Sequence, residues 1–63
     1  METFIRYIKA RIEEAKRQLK DLETLIKIGA EVGMDITEYK IRYDNLKSEI
    51  EKWERALEKA GVS

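Results

Sequence analysis

Apolar residues recur along this chain at alternating steps of four and three. From Met1 they fall at Ile5, Ile8, Ile12, Ala15, Leu19, Leu22, Ile26 and Gly29, with no polar side chain among them. A second series starts at Ile36 and runs through Tyr39, Tyr43, Leu46, Ile50, Trp53, Leu57 and Ala60. A mean spacing of about 3.5 residues keeps each series on one stripe of an α-helix and favours knobs-into-holes packing in a left-handed supercoil. The pattern predicts two helices, over residues 3–32 and 36–60, each with a seam that must find a partner, because an isolated helix gains little beyond its propensity.

Between the two series the chain carries stop and start signals together. Gly33 can adopt the left-handed conformation that closes a helix C-terminus. Asp35 suits the N-cap of a following helix, and Glu38 three residues later completes a capping-box pattern. Met34 and Tyr39 have the spacing of a hydrophobic staple. Asp35 and Glu38 also place negative charge at the positive end of the helix dipole. A turn at 33–35 is expected, folding the arms back on each other. Lys59 and Gly61 mark the end of the second helix, with Val62 and Ser63 expected to fray.

A reversal near Gly33 and Met34 sets a register. It pairs Gly29 with Tyr39, Ile26 with Tyr43, Leu22 with Leu46, Leu19 with Ile50, Ala15 with Trp53, Ile12 with Leu57 and Ile8 with Ala60. Small residues would then face large ones, as close packing requires. Along the surfaces, Glu2/Arg6, Glu13/Arg17, Glu23/Lys27, Glu38/Arg42 and Glu51/Arg55 are acid-before-base pairs one turn apart.

One stripe per helix does not account for every apolar residue. Phe4, Leu25, Ile28 and Val32 lie beside the first seam, on the flank away from Lys9, Lys16, Lys20 and Lys27. Ile41 lies on the outer face of the second helix and Ala56 beside its seam. Scattered surface apolar residues are ordinary. A concentrated flank instead suggests an interface, and its simplest form pairs two hairpins into a four-helix bundle, since twofold dimers are the commonest oligomers.

Composition narrows the chemistry. The 63 residues include no Cys, His or Pro, and 13 basic residues balance 13 acidic ones. Disulfides, imidazole catalysis, thiol nucleophiles and the usual zinc sites are excluded, and the redox compartment stays open. Zero net charge argues against binding driven by bulk charge. No apolar run has the length of a membrane span, and the N-terminus has no signal-peptide pattern. The expectation is a soluble chain, cytoplasmic if natural or expressed in bacteria. Glu13 and Glu14 point about 100° apart on a helix and offer no shared pocket. No cofactor, metal or catalytic residue is expected. A basic stretch of Arg6, Lys9, Arg11, Lys16, Arg17 and Lys20, with Phe4 and Tyr7 nearby, could touch nucleic acid. The alternative is charge complementarity with Glu49, Glu51, Glu54 and Glu58 of the second arm, which is the favoured reading. Tyr39, Tyr43 and Trp53 are residue types common at binding hot spots, but their seam positions assign them to the core.

Unbroken heptads, a capping pattern with a staple, a Glu/Lys/Arg surface and the lack of Cys, His and Pro resemble de novo designed helical hairpins and bundles. The layout also resembles the Rop family of plasmid RNA-binding hairpins, in length and helix–turn–helix plan only. No residue motif of that family is matched, so no binding residue carries over. The sequence thus points to an all-α antiparallel hairpin with coiled-coil packing, a non-enzymatic self-assembling module whose partner is itself. A module that binds a different protein, or a Rop-like nucleic-acid binder using the basic half of the first helix, stays open as the alternative.

Overall fold

The computed structural model describes residues 2–62. Met1, the first position of the seam, and Ser63 lie outside the described residues. Two helices, α1 over Glu2–Glu31 and α2 over Thr37–Lys59, pack against each other, with no strand among the described residues. The hairpin is a rod, 47 × 16 × 13 Å.

The seam explains the burial. Ile8, Ile12 and Ile50 are the buried hydrophobic residues, and Ala15, Leu19, Leu46 and Leu57 pack partly buried against them. Ile5, Leu22, Ile26, Ile36, Tyr39 and Tyr43 are half-buried, and Gly29 is buried. Away from the seam, every described residue up to Gly61 is exposed. Two parallel-sided cylinders can hide only the stripe along which they touch, so a strict four-three repeat leaves everything beside it in water.

Both helices stop in the same way. Gly33 has φ +78°. The Met34 amide donates to the Gly29 carbonyl at 2.9 Å and the Gly33 amide to the Ala30 carbonyl at 3.3 Å. This pair of bonds is a Schellman closure, which satisfies carbonyls that the helix end would leave without partners. At the other terminus Gly61 has φ +79°, Val62 donates to Leu57 and Gly61 to Glu58, both at 3.0 Å. Val62 is half-buried and is therefore tied to α2 instead of frayed.

The start of α2 differs from the expected capping box. Ile36 occupies the N-cap position with φ −99° and ψ 11°, and its carbonyl accepts from the Lys40 amide at 3.0 Å. Asp35 sits one residue earlier. Its Oδ1 accepts from the Thr37 amide at 3.1 Å and from the Thr37 hydroxyl at 2.7 Å. The carboxylate still caps the helix, but from outside it, by accepting from the Thr37 amide and hydroxyl. Those two bonds, hydroxyl first, hold the Asp35 carboxyl below its usual range. The cap is therefore complete above the ordinary carboxylate pKa and weakens as pH falls through the lower folded value. With the cap at Ile36, the stapling positions become Asp35 and Lys40, so Met34 and Tyr39 are not a staple. Met34 closes back over Gly29.

That closure also changes the register at the bend. A Cβ placed on Gly29 would lie 2.9 Å from Cγ2 of Ile36 and 3.7 Å from Cβ of Met34. Ile36, not Tyr39, covers Gly29, because the tight reversal brings the first seam residue of α2 directly over the last one of α1. Farther from the bend, Ile26 and Tyr43 line one groove, Leu22 and Leu46 a second, and Ile12 and Leu57 a third.

Trp53 departs most from its expected place. It is 45% exposed. Helices whose axes lie about 8–10 Å apart leave little room for an indole between them, and the ring borders a hollow at the edge of the seam together with Tyr7, Ile8 and Arg11. Beside it, Arg11, Ala15, Gln18 and Glu49 border a hollow of about 220 Å³. Ala60, at the open end, is likewise exposed.

Gly29→Ala sets helix propensity, worth up to about 1 kcal/mol, against overpacking of a β-branched neighbour, typically 1–3 kcal/mol. Because the clash falls on Cγ2 beside the Ile36 backbone, packing should win, with a net loss of about 1 kcal/mol by denaturant titration. A gain would mean that Ile36 does not cover Gly29.

Candidate interaction surface

Displacing the α1 seam by one residue gives a second four-three series: Phe4, Tyr7, Arg11, Glu14, Gln18, Asp21, Leu25, Ile28 and Val32. One residue is a rotation of about 100°, so this stripe runs beside the seam for the length of the helix. Its two ends are apolar and its middle is polar. Phe4 is 58% exposed, Tyr7 61%, Leu25 37%, Ile28 58% and Val32 68%. Trp53 leans from α2 onto the same side, next to Tyr7 and Arg11.

Four of the residues expected at an interface, Phe4, Leu25, Ile28 and Val32, thus share one face. Ile41 does not join them. It is exposed at 54%, about 160° around α2 from Tyr43 and so on the side opposite the seam. The sequence reading missed Tyr7 and Trp53 for this face. From the sequence, Tyr7 stands only beside the disfavoured nucleic-acid contact, and the heptad places Trp53 in the core. The one-residue offset of the stripe was available as a signal for Tyr7. For Trp53 the signal was the lack of room for an indole in a two-helix seam.

The opposite flank has another character. Lys16 Nζ lies 2.9 Å from Glu54 Oε2, an ion pair that bridges the helices, and 4.0 Å from Glu13. The Glu54 contact, by its hydrogen bond and then its charge, raises the Lys16 pKa above the ordinary lysine value. Within α1, Arg6 pairs with Glu2 at 3.2 Å, Arg17 with Glu14 at 2.7 Å and Lys27 with Glu23 at 3.5 Å. Arg17 thus turns to Glu14 and not to Glu13, since its guanidinium reaches Glu14 through both Nε and Nη2. The α2 pairs Glu38/Arg42 and Glu51/Arg55 do not close within 4.0 Å.

These pairings bear on the basic stretch. Arg6, Lys16 and Arg17 are each engaged by a carboxylate of the same chain. With Lys9 and Lys20 they fall within an arc of about 100° on one flank of α1, where Glu13 interrupts the run. Among the described residues no polar or charged side chain is buried, and no helix is long and apolar enough to cross a membrane.

The Lys16–Glu54 pair is close to half-exposed on both sides, and pairs of this kind contribute little. Its contribution is complete below the ordinary lysine pKa and is lost as pH rises through the higher folded value. Lys16→Ala should leave the thermal midpoint at pH 7 and high salt indistinguishable from that of the parent. A large drop would make this bridge a structural requirement.

No family model, no curated protein and no solved structure matches this chain. What the hairpin does has to be read from its own surface.

Proposed function

We propose that this chain is a non-enzymatic structural module that associates with a second copy of itself, two hairpins combining into a four-helix bundle. One observation carries this reading. The hairpin exposes 5311 Å², whereas a compact monomer of 7.5 kDa is expected to expose about 4,200 Å². The excess, roughly 1,000 Å², is close to the 800 Å² or so that each partner buries in a standard interface. Its radius of gyration, 14.5 Å, likewise exceeds the value of about 10.6 Å for a globular chain of this length.

The excess is also of the right kind. Large apolar side chains exposed along one face of a helix are what a second layer would cover. Burial of Phe4, Tyr7, Leu25, Ile28 and Val32 would remove the main apolar surface of α1 from water. The unbroken heptads, the Gly-closed helix ends and the Glu/Lys/Arg surface support a designed origin. A second reading, a module that docks on a different protein, is favoured by the concentration of Leu25, Ile28 and Val32 at the turn end. Nucleic-acid binding is the weaker reading, because Arg6, Lys16 and Arg17 of the basic stretch are engaged within the chain.

Sedimentation across a concentration series separates these readings. The parent should have the mass of a dimer at high micromolar concentration. Leu25→Glu combined with Val32→Glu should weaken association by more than about 100-fold, at ten-fold or more for each buried anchor lost. A parent that stays monomeric at high micromolar concentration contradicts self-association and leaves the binder.

A further inference from the structure

We infer that the second stripe of α1 is a self-recognition surface on which α1 of a second copy lies antiparallel, with the twofold axis at Gln18. This rests on the self-association proposed above and specifies which helices meet, in which direction and in what register.

The stripe is close to a palindrome. Phe4 lies 14 residues before Gln18 and Val32 lies 14 residues after it. Tyr7 and Ile28 are 11 and 10 residues away on the two sides. An antiparallel twofold at Gln18 therefore sets Phe4 against Val32 of the second copy and Tyr7 against its Ile28, while Arg11 falls level with its Leu25. Phe4 and Tyr7 at one end thus cover Val32 and Ile28 at the other, the self-complementarity a twofold interface requires.

Charge selects the direction. A parallel pairing in register would oppose Arg11 to Arg11, Glu14 to Glu14 and Asp21 to Asp21, three like-charge contacts. In the antiparallel arrangement Asp21 of the second copy lies one turn, about 6 Å, from the level of Arg11, within reach of a guanidinium. Glu14 and Asp21 do fall level, but Glu14 is already held by Arg17 at 2.7 Å. Gln18 meets itself at the axis. A carboxamide both donates and accepts, so Gln18 can pair with its own copy across the axis, which favours this register.

The second copy would also lie beside Trp53. The half-exposed indole sits next to Arg11 and Gln18, level with the polar middle of the stripe and bordering the 220 Å³ hollow. Two indoles related by the axis would cover that middle from both sides. The roughly 100° between the seam and the second stripe suits a helix at the corner of a four-helix bundle, which has two neighbours at about a right angle.

The chain has no cysteine, so single-cysteine variants with a short bismaleimide report the geometry directly. Gln18→Cys alone should give covalent dimers at a concentration where sedimentation shows a dimer. Phe4→Cys alone and Val32→Cys alone should not, because like positions are then about 42 Å apart along the bundle, but a mixture of the two should link. Circular dichroism confirms that each variant remains helical. Self-linking of Phe4→Cys, or failure of Gln18→Cys to link in a sample that is dimeric, overturns the antiparallel register and leaves self-association standing. A monomeric sample at every concentration removes the self-association on which it rests.

Discussion

Two helices side by side can shelter one stripe of each, and no more. That geometric limit governs the rest of this structure. The first helix carries two adjacent stripes about 100° apart, and the hairpin uses only one of them. Ile8, Ile12 and Ile50 fill the centre of the contact, while Phe4, Tyr7, Ile28 and Val32, one residue out of phase with the seam, stay mostly in water. A rod 47 Å long and 13 Å thick has much surface for its mass, and most of its exposed large apolar side chains lie on one flank. The proposed self-association rests on this shape before it rests on any particular contact.

The bend serves that geometry. Gly33 closes α1 in the left-handed conformation, Met34 folds back over Gly29, and Ile36 comes down on the same glycine. Asp35 then caps α2 through Thr37. These contacts fix where the chain reverses, and the reversal fixes which seam residues share a level. They close α1 only after Glu31, so that Leu25, Ile28 and Val32 continue the stripe that Phe4 and Tyr7 begin. A loose linker would leave the second stripe without a defined neighbour in Trp53.

Much of this was legible in the sequence, for definable reasons. The four-three repeat is a property of spacing alone, so both helices and nearly every sheltered position could be read from it. The helix-ending glycines could be read because few residues tolerate a positive φ. What could not be read depended on atoms from separate segments meeting. The cap position falls at Ile36, one residue after Asp35, whose carboxylate oxygen takes both the amide and the hydroxyl of Thr37. Tyr39 lost its place over Gly29 because the closure is tighter than a count of residues suggests. Trp53 left the seam because a two-helix contact is too narrow for an indole. The exposed apolar face was partly legible: Leu25, Ile28 and Val32 stood out by their clustering and Tyr7 could be placed by its offset from the seam, whereas Trp53 needed the helices to be placed.

The central claim is that the hairpin is one half of a larger folded unit, so its stability should depend on its own concentration. Thermal unfolding followed by circular dichroism from low micromolar to millimolar protein tests this most directly. Mass action requires the midpoint to rise steadily with concentration when folding and association are coupled. A midpoint that is high and independent of concentration over that range would show that the hairpin is stable alone, and would contradict the claim.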